Sequence, residues 1–543
     1  MARMTGGQAV VKALRKHGVD TIFALPGVQL DGLFSALHDE GNAIRVIHTR
    51  HEQGAAYMAF GYARASGRPG VYAVVPGPGV LNSTAALCTA YACNAPVVCL
   101  SGQIPSTHIG RGHGLLHEIP DQLAILRGLT KWAGRAMHPV EAPIMVNEAF
   151  RQMGAGRVRP VALEVPMDVL LAEAEVDIPD PFASPPPPPL DNELIDKAAK
   201  LLLAAKRPLV VVGGGAFGAV VEIAKLADIY GAPIMMTRNG IGLIPDTHPL
   251  SLREPEGHRL WADADLVLAV GTRLTPMVPS WGLDDAIKII RIDIDPEEIA
   301  RVARPAIGIV ADAKAALAAL NARLAQAGPR PSRVAEVAEL KATLKREYDK
   351  LGPQMAWLKA LRAGIPEHGI LVDELTQVGY CTRFAFPVTR PGTYITTGYQ
   401  GTLGYGFATA LGVKAAKPDT PVVSITGDGG FMYNVQELST AVQQRLNVVT
   451  VIFNDGAFGN VQRMQKELYG GRVIATKLHN PDFVKLAENF GAQGLRADTP
   501  EALTAAIKQA LDSPLPTLIE VPVGEMPDPW HLLQLPRARK RKP

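Results

Sequence analysis

Cysteine is scarce in this 543-residue chain: there are four, Cys88, Cys93, Cys99 and Cys381. No two form a CxxC pair, and three lie in one apolar stretch, where thiols act as small hydrophobes. Neither a disulfide framework nor a zinc site is indicated, and a reducing compartment, the cytoplasm, fits best. Charge of one sign is also lacking. Lys and Arg number 55 against 52 Asp and Glu, a net +3, too near neutral for a dedicated nucleic-acid binder. Much of that excess sits in Arg537, Arg539, Lys540, Arg541 and Lys542, which read as a solvated terminus rather than an anion-binding patch. No run approaches the roughly 20 apolar residues of a membrane span. Met1-Ala-Arg-Met-Thr-Gly-Gly has no apolar core of a secretory signal. Neither a nucleic-acid partner nor a membrane is expected.

What is present is material for large cores: 47% of residues are hydrophobic and 20% charged. At roughly 150 residues per domain the length suggests three or four domains. Pro179-Asp-Pro-Phe-Ala-Ser-Pro-Pro-Pro-Pro-Pro189 cannot continue a helix or central strand and reads as an extended spacer. Gln326-Ala-Gly-Pro-Arg-Pro-Ser332 is a softer break, followed by a charged helical stretch to about Leu351. Three segments result, 1–178, 190–326 and 352–530, with 531–543 as a C-terminal tail.

Each segment alternates short apolar runs with helical patterns such as Gly54–Ala65 and Leu81–Ala92. The expected strands are Asp20–Leu25, Ile44–His48, Gly70–Val75, Pro96–Leu100 and Val161–Val165 in the first segment. In the second they are Leu209–Val212, Pro233–Met236, Leu266–Val270 and Lys288–Asp293. In the third they are Ile370–Val372, Val422–Thr426, Val448–Phe453 and Thr517–Val521. Strand-helix alternation predicts an α/β protein of three doubly wound parallel-sheet domains.

The first and third segments also resemble each other. Glu52-Gln-Gly-Ala-Ala-Tyr-Met-Ala-Phe-Gly-Tyr-Ala63 parallels Tyr399-Gln-Gly-Thr-Leu-Gly-Tyr-Gly-Phe-Ala-Thr-Ala410, with Gln53 and Gln400 offset by 347. Gly77-Pro-Gly79 parallels Gly427-Asp-Gly429 at offset 350, and Pro96–Leu100 matches Asn447–Val451 at offset 351. Three ordered matches with a small drift predict one duplicated architecture.

The strongest chemical signal lies in the third segment. An apolar strand ends in Gly427-Asp428-Gly429-Gly430. The next ends in Asn454-Asp455-Gly456-Ala457-Phe458-Gly459. Asp428 and Asp455 are 27 residues apart, enough for one crossover helix and the neighbouring parallel strand. Both carboxylates then sit at strand carboxyl ends, where open α/β sheets bind ligands. Two oxygen ligands with open positions suit Mg²⁺, which keeps water and phosphate oxygens around it. The glycines let backbone N–H groups approach a phosphate. In the first segment, Arg50-His51-Glu52-Gln53-Gly54 follows a strand and opens a helix. A Glu there gains from the helix dipole and on its own is unremarkable.

Taken together, these motifs resemble the thiamine diphosphate-dependent enzymes over essentially the whole chain. The resemblance is closest to the acetolactate synthase and pyruvate oxidase group, and extends to benzaldehyde lyase, 2-hydroxyacyl-CoA lyase and oxalyl-CoA decarboxylase. It implies a pyrimidine-binding domain, a central domain and a diphosphate-binding domain, in that order. It implies thiamine diphosphate and Mg²⁺ as cofactors. Glu52 would hydrogen-bond the aminopyrimidine and set its tautomer. Leu403, in Gly401-Thr-Leu-Gly404, would prop the cofactor into a bent shape. Asp428, Asp455 and the Ala457 carbonyl match the metal ligands, although the family usually has Asn where this chain has Asp455. Gly427, Gly429, Gly430, Phe458, Gly459 and Asn460 match diphosphate contacts, with Thr376, Gln377, Pro26 and Asn82 as further cofactor-binding candidates.

On the substrate side, Pro26-Gly-Val-Gln29 occupies the place of the Pro-Gly-Gly loop of acetolactate synthases, where benzaldehyde lyase has His at the Gln29 position. Gly112-His-Gly-Leu-Leu-His117-Glu118 replaces that group's Ala-Phe-Gln-Glu. Gln29, His117 and His113 are therefore candidate catalytic groups, and two neighbouring histidines could shuttle protons near neutral pH. In the central segment, Val211-Val-Gly-Gly-Gly215 is weak evidence for a nucleotide. The stretch Ser251-Leu-Arg-Glu-Pro-Glu-Gly257 is shorter than the FAD-holding loop of acetolactate synthases, which puts FAD in doubt.

The resemblance implies a decarboxylase or carboligase acting on a small 2-oxo acid or acyloin. Alternatives are cleavage of the benzaldehyde lyase or CoA-lyase kind, a flavin-linked pyruvate oxidoreductase, or an inactive regulatory relative. Intact Glu52, Asp428 and Asp455 speak against the last. It also implies a homo-oligomer, at least a dimer and expected to be a homotetramer, with the site between the pyrimidine domain of one subunit and the diphosphate domain of another.

Overall fold

The computed structural model describes residues 1–328 and 330–539. The first segment holds β1 (Ala2–Thr5), β2 (Thr21–Ala24), β3 (Arg45–His48), β4 (Gly70–Val74), β5 (Val97–Gln103), β6 (Trp132–Arg135), β7 (Val161–Pro166) and β8 (Glu173–Val176). Six of these form a parallel sheet in the order β3-β2-β4-β5-β7-β6. The remaining two, β1 and β8, pair antiparallel as a separate ribbon. The second segment holds β9 (Pro208–Val212), β10 (Ile234–Met236), β11 (Ser251–Leu252), β12 (Leu266–Val270), β13 (Lys288–Asp293) and β14 (Ile307–Val310). They form a parallel sheet in the order β11-β10-β9-β12-β13-β14, the dinucleotide-fold order.

The third segment holds β15 (Ile370–Val372), β16 (Tyr394–Ile395), β17 (Val422–Gly427), β18 (Val449–Asn454), β19 (Gln493–Arg496) and β20 (Thr517–Pro522). Its parallel order, β16-β15-β17-β18-β20-β19, reproduces that of the first sheet strand for strand. The central sheet has a different order, so the likeness of the first and third segments goes beyond a shared α/β composition. The strand before Gly77, β4, and the strand ending at Gly427, β17, hold the same place in their sheets, as the sequence parallels require.

Helix boundaries follow local chemistry. The helix Glu52–Ser66 starts where the His51 ring accepts the Gln53 amide, and it ends at Gly67 in the left-handed conformation, φ 70°. The helix Pro78–Ala92 opens with Pro, which needs no amide hydrogen in the first turn. Two helices of different domains, Glu52–Ser66 and Tyr405–Ala416, cross in close contact. A Cβ on Gly61 would strike the Thr409 carbonyl, and one on Gly412 would strike the Met58 carbonyl. Most residues of both helices are buried, so neither shows a polar face.

Seven strands escape the sequence reading: β6, β11, β14, β16 and β19, each at the edge of its sheet, and β1 and β8 of the separate ribbon. The proline stretch before helix Asn192–Ala204 carries no regular structure. The second break follows helix Ala313–Gln326 and precedes helix Val334–Tyr348; Pro329 within it lies outside the described residues.

The tail requires a correction. Arg539 is 5% exposed, not solvated. Its guanidinium donates to the Trp261 carbonyl at 2.7 Å, to Asp284 at 2.6 Å and to the Ala264 carbonyl. His258 meets the Pro536 carbonyl at 2.8 Å, and the Ala538 and Arg539 amides reach the Trp281 carbonyl. Three backbone carbonyls of the central domain, those of Trp261, Ala264 and Trp281, are the acceptors that hold the tail. Lys540, Arg541 and Lys542 lie outside the described residues. Arg539→Ala should destabilise the central domain by about 2–4 kcal/mol, because carbonyls and a carboxylate lose their donor together. Denaturant unfolding followed by Trp261 and Trp281 fluorescence checks this.

Candidate active site

In β17 and β18, Gly427 lies beside Phe453, so Asp428 and Asp455 emerge at neighbouring strand ends. Between them opens a cavity of about 240 Å³. Its walls include every third-segment residue that the sequence reading named for metal or cofactor: Thr376, Gln377, Gly401, Leu403, Gly427, Asp428, Gly429, Gly430, Asp455, Ala457, Phe458, Gly459 and Asn460. Leu375, Tyr380, Phe453, Val461 and Val523 complete the wall without having been anticipated as site residues.

The donor set fits a divalent cation. Asp428 is 1% exposed, and among the described residues no Lys or Arg pairs with Asp428 or Asp455. Burial raises Asp428 above the usual carboxylate range. Burial, reinforced by the charge of Asp428, pushes Asp455 up to about 6. Two like charges brought together without a cation are costly unless a metal neutralises them. Neutral donors hold them in place. The Asn480 amide donates to Asp428 at 2.5 Å and to Asn454 at 3.0 Å. Gln377 donates to Asp455 at 2.9 Å, and the Ala457 amide does so at 3.1 Å. Glycine is required around them. A Cβ on Gly459 would collide with Asp455, and one on Gly429 would press on Phe458.

Glu374 supports this wall from beneath and carried no signal of its own in the sequence. Its buried carboxylate accepts from the Gly404 amide at 2.9 Å, the Gly406 amide at 2.8 Å and Thr426 Oγ1 at 3.1 Å. It thereby ties the turn bearing Leu403 to the end of β17. Burial pushes Glu374 up to about 7 despite these donors. Gly430 must be glycine, since a Cβ would strike the Glu374 carboxylate.

A strap from Val523 onward closes one rim. The Met526 amide donates to Gln377 at 2.7 Å, and Arg463 donates to the Met526 carbonyl. Trp530 donates from Nε1 to Asn460 at 3.0 Å and packs on Tyr380 with ring centres 4.9 Å apart. The apolar character of Pro527–Pro536 is the sequence signal for this docking.

The remaining candidates sit in the first domain and line none of this cavity. Glu52, 8% exposed, accepts from Asn82 at 3.0 Å. Gln29 follows the exposed Pro26 in a short turn, is 3% exposed, and donates to the Leu116 carbonyl at 3.0 Å. His117 is strained, at φ 69°, and its carbonyl presses on Gly77 so closely that a Cβ there would not fit. The Gly77 amide is held in turn by Gln122 at 2.7 Å, which also donates to buried Glu164. Gln29 Oε1 and His117 Nδ1 are both buried without a partner among the described residues. His113 is exposed and faces His108, with nitrogens 2.9 Å apart; the two-histidine relay with His117 has no hydrogen bond among the described residues.

Comparison with known proteins agrees with this geometry. Three family models match: the N-terminal TPP-binding domain of thiamine pyrophosphate enzymes over residues 4–125, their central domain over 195–320, and their C-terminal TPP-binding domain over 377–521. The chain is 35% identical to a probable 2-ketoarginine decarboxylase of Pseudomonas aeruginosa, over 95% of this chain and 94% of the relative. It is 35% identical to a probable acetolactate synthase large subunit of Methanocaldococcus jannaschii, over 95% and 92%. It is 31% identical to the acetolactate synthase isozyme 1 large subunit of Escherichia coli, over 96% and 94%. With its glycine-walled carboxylate pair and all three domains matched, the chain belongs to the thiamine pyrophosphate enzyme family, in the acetolactate synthase and pyruvate oxidase group, and is an enzyme of the decarboxylase and carboligase type.

Proposed function

We propose that this enzyme takes a small 2-oxo acid, releases carbon dioxide and passes the remaining acyl carbon to a proton or a second carbonyl, with carboligation the preferred outcome. The observation that carries the reading is the uncompensated pair Asp428 and Asp455 in a glycine-walled cavity. The names of the relatives, a 2-ketoarginine decarboxylase and acetolactate synthases, support a 2-oxo acid.

Asp428, Asp455 and the Ala457 carbonyl would hold Mg²⁺, and the amides around Gly427–Gly430 and Gly459–Asn460 would hold the diphosphate. Thiamine diphosphate, when bound, supplies a nucleophilic carbon that adds to a carbonyl and accepts the electron pair released with carbon dioxide. Glu52 would hold a proton at the aminopyrimidine ring, and Leu403 would fix the cofactor's bend. Gln29 and His117 would orient the substrate, since their unpartnered atoms suit a carboxylate or hydroxyl. The strap bearing Trp530 would exclude water.

Glu52 belongs to the first domain and the cavity to the third. We assign the missing acid to a second copy, making a homodimer the minimum unit and a homotetramer the expected assembly. Apolar side chains exposed on both halves support this. They are Val28, Leu81 and Leu116 on the first domain and Tyr399, Tyr433, Val461 and Leu468 on the third. FAD is not expected. At the strand ends of the central sheet, Arg157 already engages Asp295 at 3.4 Å and Glu298 at 2.8 Å.

Glu52→Ala should retain cofactor yet slow C2 proton exchange of bound thiamine diphosphate by roughly 10²–10⁴-fold; exchange followed by NMR at the wild-type rate would sink the assignment. Asp428→Ala should abolish cofactor retention after desalting, whereas Asp455→Asn, which keeps an oxygen ligand, should be tolerated. The reverse pattern would overturn the ligand pair. Substrate class is decided by kcat/KM for pyruvate, benzoin and a 2-hydroxyacyl-CoA under equal cofactor loading, scoring carbon dioxide, aldehyde and acyloin together. Pyruvate should lead. A tenfold preference for the thioester would move the enzyme to the CoA lyases, and flavin absorbance in the purified protein would favour the oxidoreductase.

A further inference from the structure

Glu437 opens the helix Glu437–Gln443 of the third domain and is fully buried, yet its carboxylate serves the first domain. Oε1 accepts from the Arg50 amide at 3.0 Å and the His51 amide at 2.9 Å; Oε2 accepts from the Arg50 amide at 3.2 Å and from Thr440 Oγ1 at 2.7 Å. These two amides immediately precede Glu52. They belong to the corner between β3 and the helix Glu52–Ser66, where backbone donors lack intrahelical partners. A carboxylate there also gains from the dipole of that helix. Gly54 completes the contact: a Cβ on it would lie 2.5 Å from Glu437 Oε1 and 2.7 Å from Cδ. One residue on, Asn434 of the third domain reaches the Gln53 side chain at 3.5 Å.

Burying a carboxylate is expensive unless its oxygens are saturated, and simple packing between domains needs only apolar groups, which the adjacent helix crossing already supplies. A buried acid whose donors are the two amides before Glu52 has a narrower use. We infer that Glu437 is a positioning residue for Glu52: it clamps the Arg50–His51 corner and so fixes the direction in which Glu52 is presented towards Asn82. The inference deepens the proposed function and rests on the role given there to Glu52. Glu437 touches neither cofactor nor substrate; it acts through the backbone. Fixing the corner also fixes the first turn of the helix, so a small rotation there would move the Glu52 carboxylate. A displacement of about 1 Å at a reacting group costs on the order of 10²-fold.

The test uses full-length protein and two variants that break the clamp differently. Glu437→Gln loses an acceptor; Gly54→Ala keeps Glu437 but pushes its carboxylate aside. Each is made alone and on a Glu52→Gln background. Two readouts are taken: amide hydrogen exchange of the segment 50–54 without cofactor, and C2 proton exchange after loading with thiamine diphosphate and Mg²⁺. Both variants should lose amide protection in that segment, keep cofactor retention, and slow C2 exchange roughly 10- to 100-fold. On the Glu52→Gln background they should slow it no further, because a positioning residue has nothing left to position. Losses that multiply on that background, or unaltered C2 exchange with the corner deprotected, would overturn the inference. Wild-type exchange in Glu52→Gln alone would instead reject the role of Glu52 itself, and it is recognised without reference to either clamp variant.

Discussion

The architecture turns on one close contact, the crossing of the helices Glu52–Ser66 and Tyr405–Ala416. Gly61 lies against the Thr409 carbonyl and Gly412 against the Met58 carbonyl, with no room for a side chain at either point. Backbones this close bring the first and third sheets into fixed relation. Tyr57 and Phe60 pack edgewise and tilted on Tyr405 around the crossing, and both helices are buried in a single core that spans the two domains. Replacing either glycine by a larger residue would separate the helices, and with them the carboxylate group of Glu52 and the turn bearing Leu403. The unusual apolarity of both helices is thus a requirement of their position between two sheets rather than of either domain alone.

Around that crossing the chain buries carboxylates with a purpose for each. Glu374 and Glu437 are satisfied by backbone amides and hydroxyls, and each pins a segment that carries a functional residue. Asp428 and Asp455 are different: neutral amides orient them, but among the described residues no cation pairs with them. Satisfied acids act as fasteners, since removing the donors would leave a buried charge costing several kcal/mol. The pair Asp428 and Asp455 has hydrogen-bond donors but no paired cation among the described residues, which is why we propose a metal there. The same contrast separates Gln122, bonded on every side, from its neighbours Gln29 and His117, each with a buried atom left over.

The extent to which this was readable from sequence follows from where information is local. Interior strands announced themselves as apolar runs because both faces are covered by helices. The edge strands β6, β11, β14, β16 and β19 did not, being short or half-exposed, with residues such as Arg135 and Gln493 in them. The placement of the carboxylates Asp428 and Asp455 was readable because they lie at two neighbouring strand ends linked by a single crossover. Asn480 and Glu374 were not, since each acts 52 residues away from its partner, on Asp428 and Thr426 respectively. Arg539 was misread for the same reason. Its partners, Trp261, Ala264 and Asp284, lie over 250 residues earlier, and a basic tail looks alike whether it is solvated or docked.

The matching strand orders of the first and third sheets give the site its logic. In two copies of one unit, the glycine-containing turn after the third strand became two different things. In the third domain it is Gly427-Asp-Gly429, with a carboxylate at the strand end. In the first it is Gly77-Pro-Gly79, with no charge and with Gly77 tied down by Gln122 and crowded by His117. The helix starts diverged the opposite way: Glu52-Gln-Gly keeps an acid where Tyr399-Gln-Gly has none. One unit therefore retains an acid at the start of a helix, and the other a pair of acids at neighbouring strand ends. Neither retains both, which is the ground for our proposal that a complete site is assembled from two units. Within one chain the close helix crossing holds those units back to back, with the glycine-walled cavity lined by the third domain alone. In the assembly we propose, a second copy turned so that its Glu52 faces that cavity would complete the set without disturbing the crossing, and the exposed apolar residues on both faces would supply the surface on which such a pair closes.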